Sequence, residues 1–375
     1  MIYDEIRAYE DSDVQKKLQE ILGVDQFYKD LSPFFFPNIS KFSKRLSINL
    51  MKHYLSRRFA SIKTIKDFQI VMEPYVSSMI SSTTDGFTYS GTENLCSKPT
   101  IFVGNHRDIA LDPAFLNYVL FHEDLNTSRI AIGDNLLDGS YAEILMRLNK
   151  SFIVHRNIKG AKETFKRLSL LSSYINKSIV EDKENIWIAQ KEGRANDGND
   201  LTDIAVLKML YLSSRKLKSL KEWLEEINLT PIVISYEYDP LDLIKARGWG
   251  NWEQLTFEEN NKRDLAELSL GITGYKGRVH LHICEPSPFF KNLEDLASYI
   301  DTQIHKHYKI WPVNHYAAKQ VLKKLDTEII DEQELESFDE NFINQRFSKA
   351  NEKERKEAFK IYNQPLLNKK KDQKF

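Results

Sequence analysis

Only two cysteines, Cys96 and Cys284, occur in 375 residues. Two thiols cannot build a disulfide framework, and no CxxC pair offers a metal site, so a reducing compartment is expected. Long apolar runs are also missing. The longest, Phe115 to Phe121, is interrupted by Asn117 and falls far short of the roughly 18 residues of a spanning helix. The acidic opening MIYDEIRAYED lacks the basic-then-apolar order of a secretory leader. A cytoplasmic protein is expected, soluble or held peripherally on the cytoplasmic membrane surface. Neither sign of charge dominates: 53 Lys and Arg face 54 Asp and Glu, which disfavours nucleic acid as a partner. With 14 Gly and 11 Pro, collagen-like and low-complexity chains are excluded.

What is present is a chain 41% hydrophobic and 11% aromatic, enough to bury a sizeable core at a length typical of two domains. Residues 1–85 read as helical: Val14, Leu18, Ile21 and Leu22 share one face, PFFFP (Pro33 to Pro37) breaks the pattern, and Phe42, Leu46, Leu50, Met51, Tyr54, Leu55 and Phe59 resume it. Residues 38–66 carry eight Lys or Arg and no acid. With Phe34, Phe35 and Phe36 before them, they read either as a membrane-surface element or as an ordinary helix with a solvated basic face.

After Gly86 the texture changes. Strands are predicted at Phe87–Ser90, Thr100–Val103, Arg129–Ile132, Phe152–His155, Ile186–Ala189, Ile232–Tyr238 and Arg278–Cys284, with helical patterns near 113–122, 141–149, 160–181, 203–227 and 292–309. This alternation predicts an α/β fold, a mostly parallel or mixed sheet of about seven strands flanked by helices, behind an N-terminal helical domain. The expected division is a helical domain over 1–85, an α/β domain over 86–312 and a charged helical C-terminal extension over 313–375. Residues 240–276, with Trp249, Gly250, Trp252 and Gly274, read as an insertion of helix and loop before the last strand. Asp326 to Glu340 is wholly acidic among its charges, and 351–375 is net basic and reads as helical or frayed surface.

Three polar clusters follow strands. Asn105-His106-Arg107-Asp108 follows IFV, His155-Arg156 ends FIVHR, and Lys191-Glu192-Gly193-Arg194 follows IWIAQ. Parallel α/β sheets bind ligands outside the carboxyl ends of their strands, so these clusters converge if their strands are neighbours. They would bring together a titratable histidine, carboxylates and cations fit for a phosphate. Each residue also has a plainer reading: His106 as a loop histidine, Asp112 as an N-cap before Pro113, the arginines as ion-pair residues, Gly193 as a turn residue. Joint placement raises the functional reading.

These residues resemble the glycerolipid acyltransferase family. PTIFVGNHRDIALDP resembles its first block, Asn-His followed by four residues and Asp. FIVHR resembles the second, WIAQKEGRANDG the third, and TPIVISYEY the fourth. The order and spacing hold across roughly 86–285. Two departures mark a divergent branch: five residues separate His106 from Asp112, leaving Asp108 as an alternative equivalent, and Arg194 follows Glu192 by two positions rather than three.

The resemblance implies transfer of a fatty acyl group from acyl-CoA or acyl-carrier protein to a phosphorylated glycerol acceptor, with no metal and no cofactor. His106 would be the general base and Asp112 its orienting partner. Arg156 and Arg194, helped by Lys191, would hold the phosphate, beside Gly193. Glu192 would bind glycerol hydroxyls, hold an arginine, or simply pair with Arg194. Phe115, Leu116, Tyr118 and Val119 have the spacing of core rather than of an acyl channel. Two rivals remain: a metal-dependent hydrolase using His106, Asp108 and Asp112, and a non-catalytic membrane-binding protein.

Overall fold

A computed structural model of the chain describes residues 2–136, 141–156, 158–248, 257–322, 330–336 and 338–373. Trp249, Gly250 and Trp252 and part of the acidic run lie outside them. The chain forms two compact units, Met1–Tyr75 with Arg129–Ile158, and Val76–Ser128 with Lys159–Phe375.

In the first unit, helices Asp11–Leu22, Asp25–Phe35 and Lys44–Ala60 surround a core of Val14, Leu18, Ile21, Phe27, Met51, Leu55 and Phe59. The helix predicted to stop at PFFFP instead runs through Pro33 to Phe35, and a short one opens on Pro37. Proline suits that first position because its missing N–H would have no intrahelical partner. Phe35 and Phe36 pack against the core. Helix Lys44–Ala60 carries two apolar stripes. Ser47, Met51, Leu55 and Phe59 face inward, whereas Phe42 just before it, at 90% exposure, then Leu46, Leu50 and Tyr54 lie outward.

The seven predicted strands are all present. They are β1 (Gly86–Ser90), β2 (Ile101–Gly104), β3 (Ser128–Gly133), β4 (Ser151–Val154), β5 (Asn185–Ala189), β6 (Leu229–Tyr236) and β7 (Arg278–Ile283). In the second unit the order is β1-β7-β6-β2-β5. β5, β2 and β6 are parallel, β7 is antiparallel to β6, and β1 is parallel to β7. In the first unit β3 and β4 pair in parallel. β2 and β6 are buried throughout, as expected where helices cover both faces and strands read as continuous apolar runs. Towards the edge, β7 alternates. Phe115, Leu116 and Val119 are core, as their spacing predicted, with Phe115 against Phe87 at 4.6 Å. The pattern over 203–227 resolves into two helices, Ile204–Tyr211 and Leu220–Ile227, the second opened by a Ser219–Glu222 capping box. The C-terminal helix Glu352–Gln373 buries Ala358, Ile361, Tyr362 and Leu366 rather than fraying.

On β7 and the helix Leu293–His307, His280 and His307 are each pushed down to about 4, first by burial and then by the neighbouring His282. The rings of His282 and His307 stack at 4.0 Å. These groups stay neutral in the folded chain, while the unfolded chain takes up protons near pH 6.5, so folded stability falls as pH drops from about 6.5 towards 4. Chemical denaturation across that range should show the loss, and a double His280→Asn/His307→Gln variant should flatten it. An unchanged slope would refute the assignment.

Candidate active site

Parallel neighbours β2 and β5 end side by side, Gly104 opposite Ala189. The loops that leave them lock together through the backbone: Gln190 N–H donates to the Gly104 carbonyl at 2.8 Å and Ala195 N–H to the His106 carbonyl at 2.7 Å. The first and third clusters therefore meet. Gly193 makes the intervening turn at φ +76°, a left-handed conformation that favours glycine. Asn105 is buried and binds β6 with both ends of its amide, donating to the Ile234 carbonyl at 3.0 Å and accepting from Ile234 N–H at 2.8 Å. It anchors the loop rather than facing a ligand.

His106 Nδ1 lies 2.8 Å from Asp112 Oδ2. A carboxylate oxygen accepts, so Nδ1 carries the proton and Nε2 keeps a lone pair. The same Oδ2 accepts from Arg107 N–H at 2.7 Å and Asp108 N–H at 3.0 Å, and Oδ1 accepts from the Tyr236 hydroxyl at 2.8 Å. Tyr236 lies on the block-four strand, and sequence reasoning passed it over. Its signal was there: a hydroxyl-bearing residue at the last position of a buried strand that pairs with β2. The Trp187 ring stands edge-on to His106 at 5.5 Å. The His106 side chain remains 12% exposed.

Asp112 is not an N-cap. The helix opens at Leu111, and Asp108 serves its start, accepting from Ala110 N–H at 3.0 Å and Leu111 N–H at 2.9 Å. The two aspartates thus divide the work, Asp108 on the helix and Asp112 on the histidine, and the extra loop residue is absorbed between them. Burial and then the Asp112 charge raise the Asp108 carboxyl. A Cβ on Gly271 would lie 2.1 Å from Asp108 Oδ2, so only glycine lets the helix Phe257–Thr273 come this close. Both Asp112 oxygens are turned to N–H and O–H donors, an arrangement unlike that of a metal ligand. Among the described residues no cluster of three or more His, Cys, Asp or Glu could hold a metal ion.

Arg107 points away from the loop's mouth. It is buried, donates to the Gly198 carbonyl at 3.0 Å and pairs with Asp200. Its own carbonyl accepts from Lys245 Nζ at 2.7 Å, and Lys245 also binds Asp239 at 2.5 Å. Burial alone would raise Asp239, but the charge and hydrogen bond of Lys245, the Leu241 N–H and the Arg107 charge together hold the carboxyl below its usual range.

In the third cluster, Lys191 Nζ donates to the Asn199 carbonyl at 3.2 Å, and Glu192 is exposed. The Arg194 side chain is only 6% exposed and pairs with Glu267 on the insertion helix, with Asp264 at 3.8 Å. Its Nη1 has no partner among the described residues. Arg156 follows β4 in the first unit, where Asp134 accepts its backbone N–H at 3.1 Å and takes the neighbouring His155 at 3.0 Å.

Residues 86–206 match the family model described as Acyltransferase. The match spans the first three blocks of the glycerolipid acyltransferase pattern. Among solved structures, the 1-acyl-sn-glycerophosphate (LPA) acyltransferase PlsC from Thermotoga maritima is similar at 15% identity, over 75% of this chain and 95% of that one, with a TM-score of 0.39. So loose a likeness fixes neither substrate nor mechanism. No curated protein matches.

The Arg194–Glu267 pair predicts a stability effect. Glu267→Gln leaves a buried guanidinium with only the more distant Asp264, and removing one partner of a buried pair costs about 3–5 kcal/mol. Urea unfolding measures it; a loss under about 1 kcal/mol would mean that the helix is not held by this contact.

Proposed function

We propose that the chain transfers a fatty acyl group from an acyl thioester, acyl-CoA or acyl-carrier protein, to a hydroxyl of glycerol-3-phosphate or lysophosphatidate in phospholipid biosynthesis, with His106 as general base. The hydrogen bond between His106 Nδ1 and Asp112 carries the reading, because it leaves Nε2 as the proton acceptor. The thioester is already activated, so the chain need supply no nucleophile. His106 Nε2 takes the acceptor's hydroxyl proton as its oxygen attacks the thioester carbonyl carbon. The C–S bond breaks, and the imidazolium returns the proton to the thiolate. Asp112 fixes the tautomer and stabilises the transient cation, the part an aspartate plays in a serine triad whose serine is here the substrate.

Arg156, Lys191 and Arg194 are the proposed phosphate ligands, with Glu192 and Gly193 in the intervening turn. The Arg194 Nη1, without a partner among the described residues, supports that role, since a phosphate oxygen would satisfy it. The metal-hydrolase rival gains nothing from a carboxylate engaged on both oxygens.

An acyl-transfer assay across both acceptors and both donors, with product identified by mass, tests the reaction. His106→Ala should lose about 10²–10⁴-fold in kcat in a folded protein, and Asp112→Asn should be impaired more than Asp108→Asn. Near-normal turnover in folded His106→Ala would sink the mechanism.

The reading includes an anionic membrane surface. No helix among the described residues is long and apolar enough to cross a membrane. The outward stripe of Phe42, Leu46 and Leu50 lies beside exposed Lys41, Lys44, Arg45, Arg57 and Arg58. Apolar side chains flanked by cations suit adsorption, and each basic residue near an anionic surface is worth about 1 kcal/mol. Vesicle binding should need anionic lipid and weaken with salt. Reversing Lys44, Arg45, Arg57 and Arg58 to Glu should abolish it while sparing activity on a soluble acceptor. Co-sedimentation equal to wild type would move the docking surface elsewhere.

A further inference from the structure

Where β6 and β7 adjoin, at the carboxyl end of β6, the second unit holds a cavity of about 370 Å³, within the range of small-ligand sites. None of the residues assigned to acyl transfer lines it. Its walls are aromatic and acidic, with one cation, Arg278, among them. Tyr238, Tyr275 and Phe342 meet with ring centroids 4.8 to 5.9 Å apart, and Asp85, Glu237 and Asp339 stand among them.

The charges do not cancel. Glu237 is matched by Arg278 in a two-pronged pair at 2.7 and 2.9 Å. Asp85 and Asp339 have no cationic partner among the described residues. Asp85 accepts the Tyr275 hydroxyl. Asp339 accepts the backbone N–H groups of Asn341 at 2.9 Å and Phe342 at 3.1 Å as a helix cap. Two carboxylates thus remain uncompensated against aromatic faces. The neighbourhood already binds cations in this way: Arg346 lies 5.8 Å from the Tyr238 ring centre and Arg278 lies 4.9 Å from that of Trp311. Ring faces attract a cation through their quadrupole, and nearby carboxylates add charge attraction.

We propose that this cavity binds an organic ammonium group, with Tyr275 and Phe342 as its aromatic wall and Asp339 and Asp85 as counter-charges. A compact, weakly hydrated quaternary ammonium suits it better than an alkali ion, because aromatic faces cannot replace a tight water shell. The inference is independent of acyl transfer.

Titrating tetramethylammonium into the full-length chain, read by calorimetry or by aromatic proton shifts, tests it. Saturable binding that weakens with salt is expected, with no binding of the neutral isostere 3,3-dimethylbutan-1-ol. Tyr275→Leu keeps apolar bulk but removes the ring, and Asp339→Asn keeps the helix cap but removes the charge. Each should weaken binding about tenfold, equivalent to about 1.4 kcal/mol, at an unchanged melting temperature. Choline and phosphocholine arms distinguish the source. Tighter choline marks a free ammonium compound and tighter phosphocholine marks a headgroup; either stands with the proposal. Equal binding of the neutral isostere, indifference to both substitutions, or no saturable binding of the cation would overturn it.

Discussion

The buried carboxylate of Asp112 is the constraint on which the candidate site rests. A charge out of water must be hydrogen-bonded or it is lost to protonation. Here four donors converge on two oxygens: the His106 ring, two consecutive backbone N–H groups and the Tyr236 hydroxyl. Satisfying that carboxylate fixes the loop after β2, the rotation of the imidazole and the position of β6 at once. The two backbone donors explain why the chain turns so tightly between His106 and Asp108, and why Asp108 is free to serve the helix instead.

Around this centre lies a web of buried ion pairs. Arg107 with Asp200, Lys245 with Asp239 and Arg346 with Asp242 draw the third cluster and the C-terminal helices onto the loop's far side. The Tyr362 hydroxyl donates to Asp242 at 2.8 Å, and His305 joins the Asp200 carbonyl to Asp372. Buried pairs of this kind contribute little net stability compared with apolar packing, but breaking one is costly. Their effect is to hold one arrangement of loops in preference to others.

Much of this was legible in the chain. The strands were readable because the buried β2 and β6 and the largely buried β5 are short apolar runs ended by polar clusters, and that boundary also marks the site. The two aspartates were harder to tell apart, since Asp-Pro suggests a cap at Asp112 when the side chain that accepts from the helix start is that of Asp108. A cap is defined by where an oxygen points, and spacing does not encode that. Arg194 illustrates the same limit. Its place after β5 brought it to the site, but its partner Glu267 comes from a helix 73 positions later in the chain, whose packing depends on Gly271 rather than on any motif. Phe35 and Phe36 misled in the opposite sense. A cluster of aromatics reads as a surface anchor, yet they join the core, and the exposed stripe is the spaced set beginning at Phe42. The C-terminal helix, dense in charge, hid a buried face of only a few residues per turn.

The sequence separations in this web bear on how the site comes into being. His106 and Asp112 are six residues apart and can meet as soon as their loop turns, whereas Tyr236 lies 124 positions beyond Asp112 and Lys245 lies 138 beyond Arg107. Contacts so distant along the chain must first overcome the entropy of closing long loops, and such pairings form slowly. The histidine and its aspartate are thus early acquaintances held in register by late arrivals. A refolding chain should regain its compactness and helical signal well before it regains an ordered histidine loop.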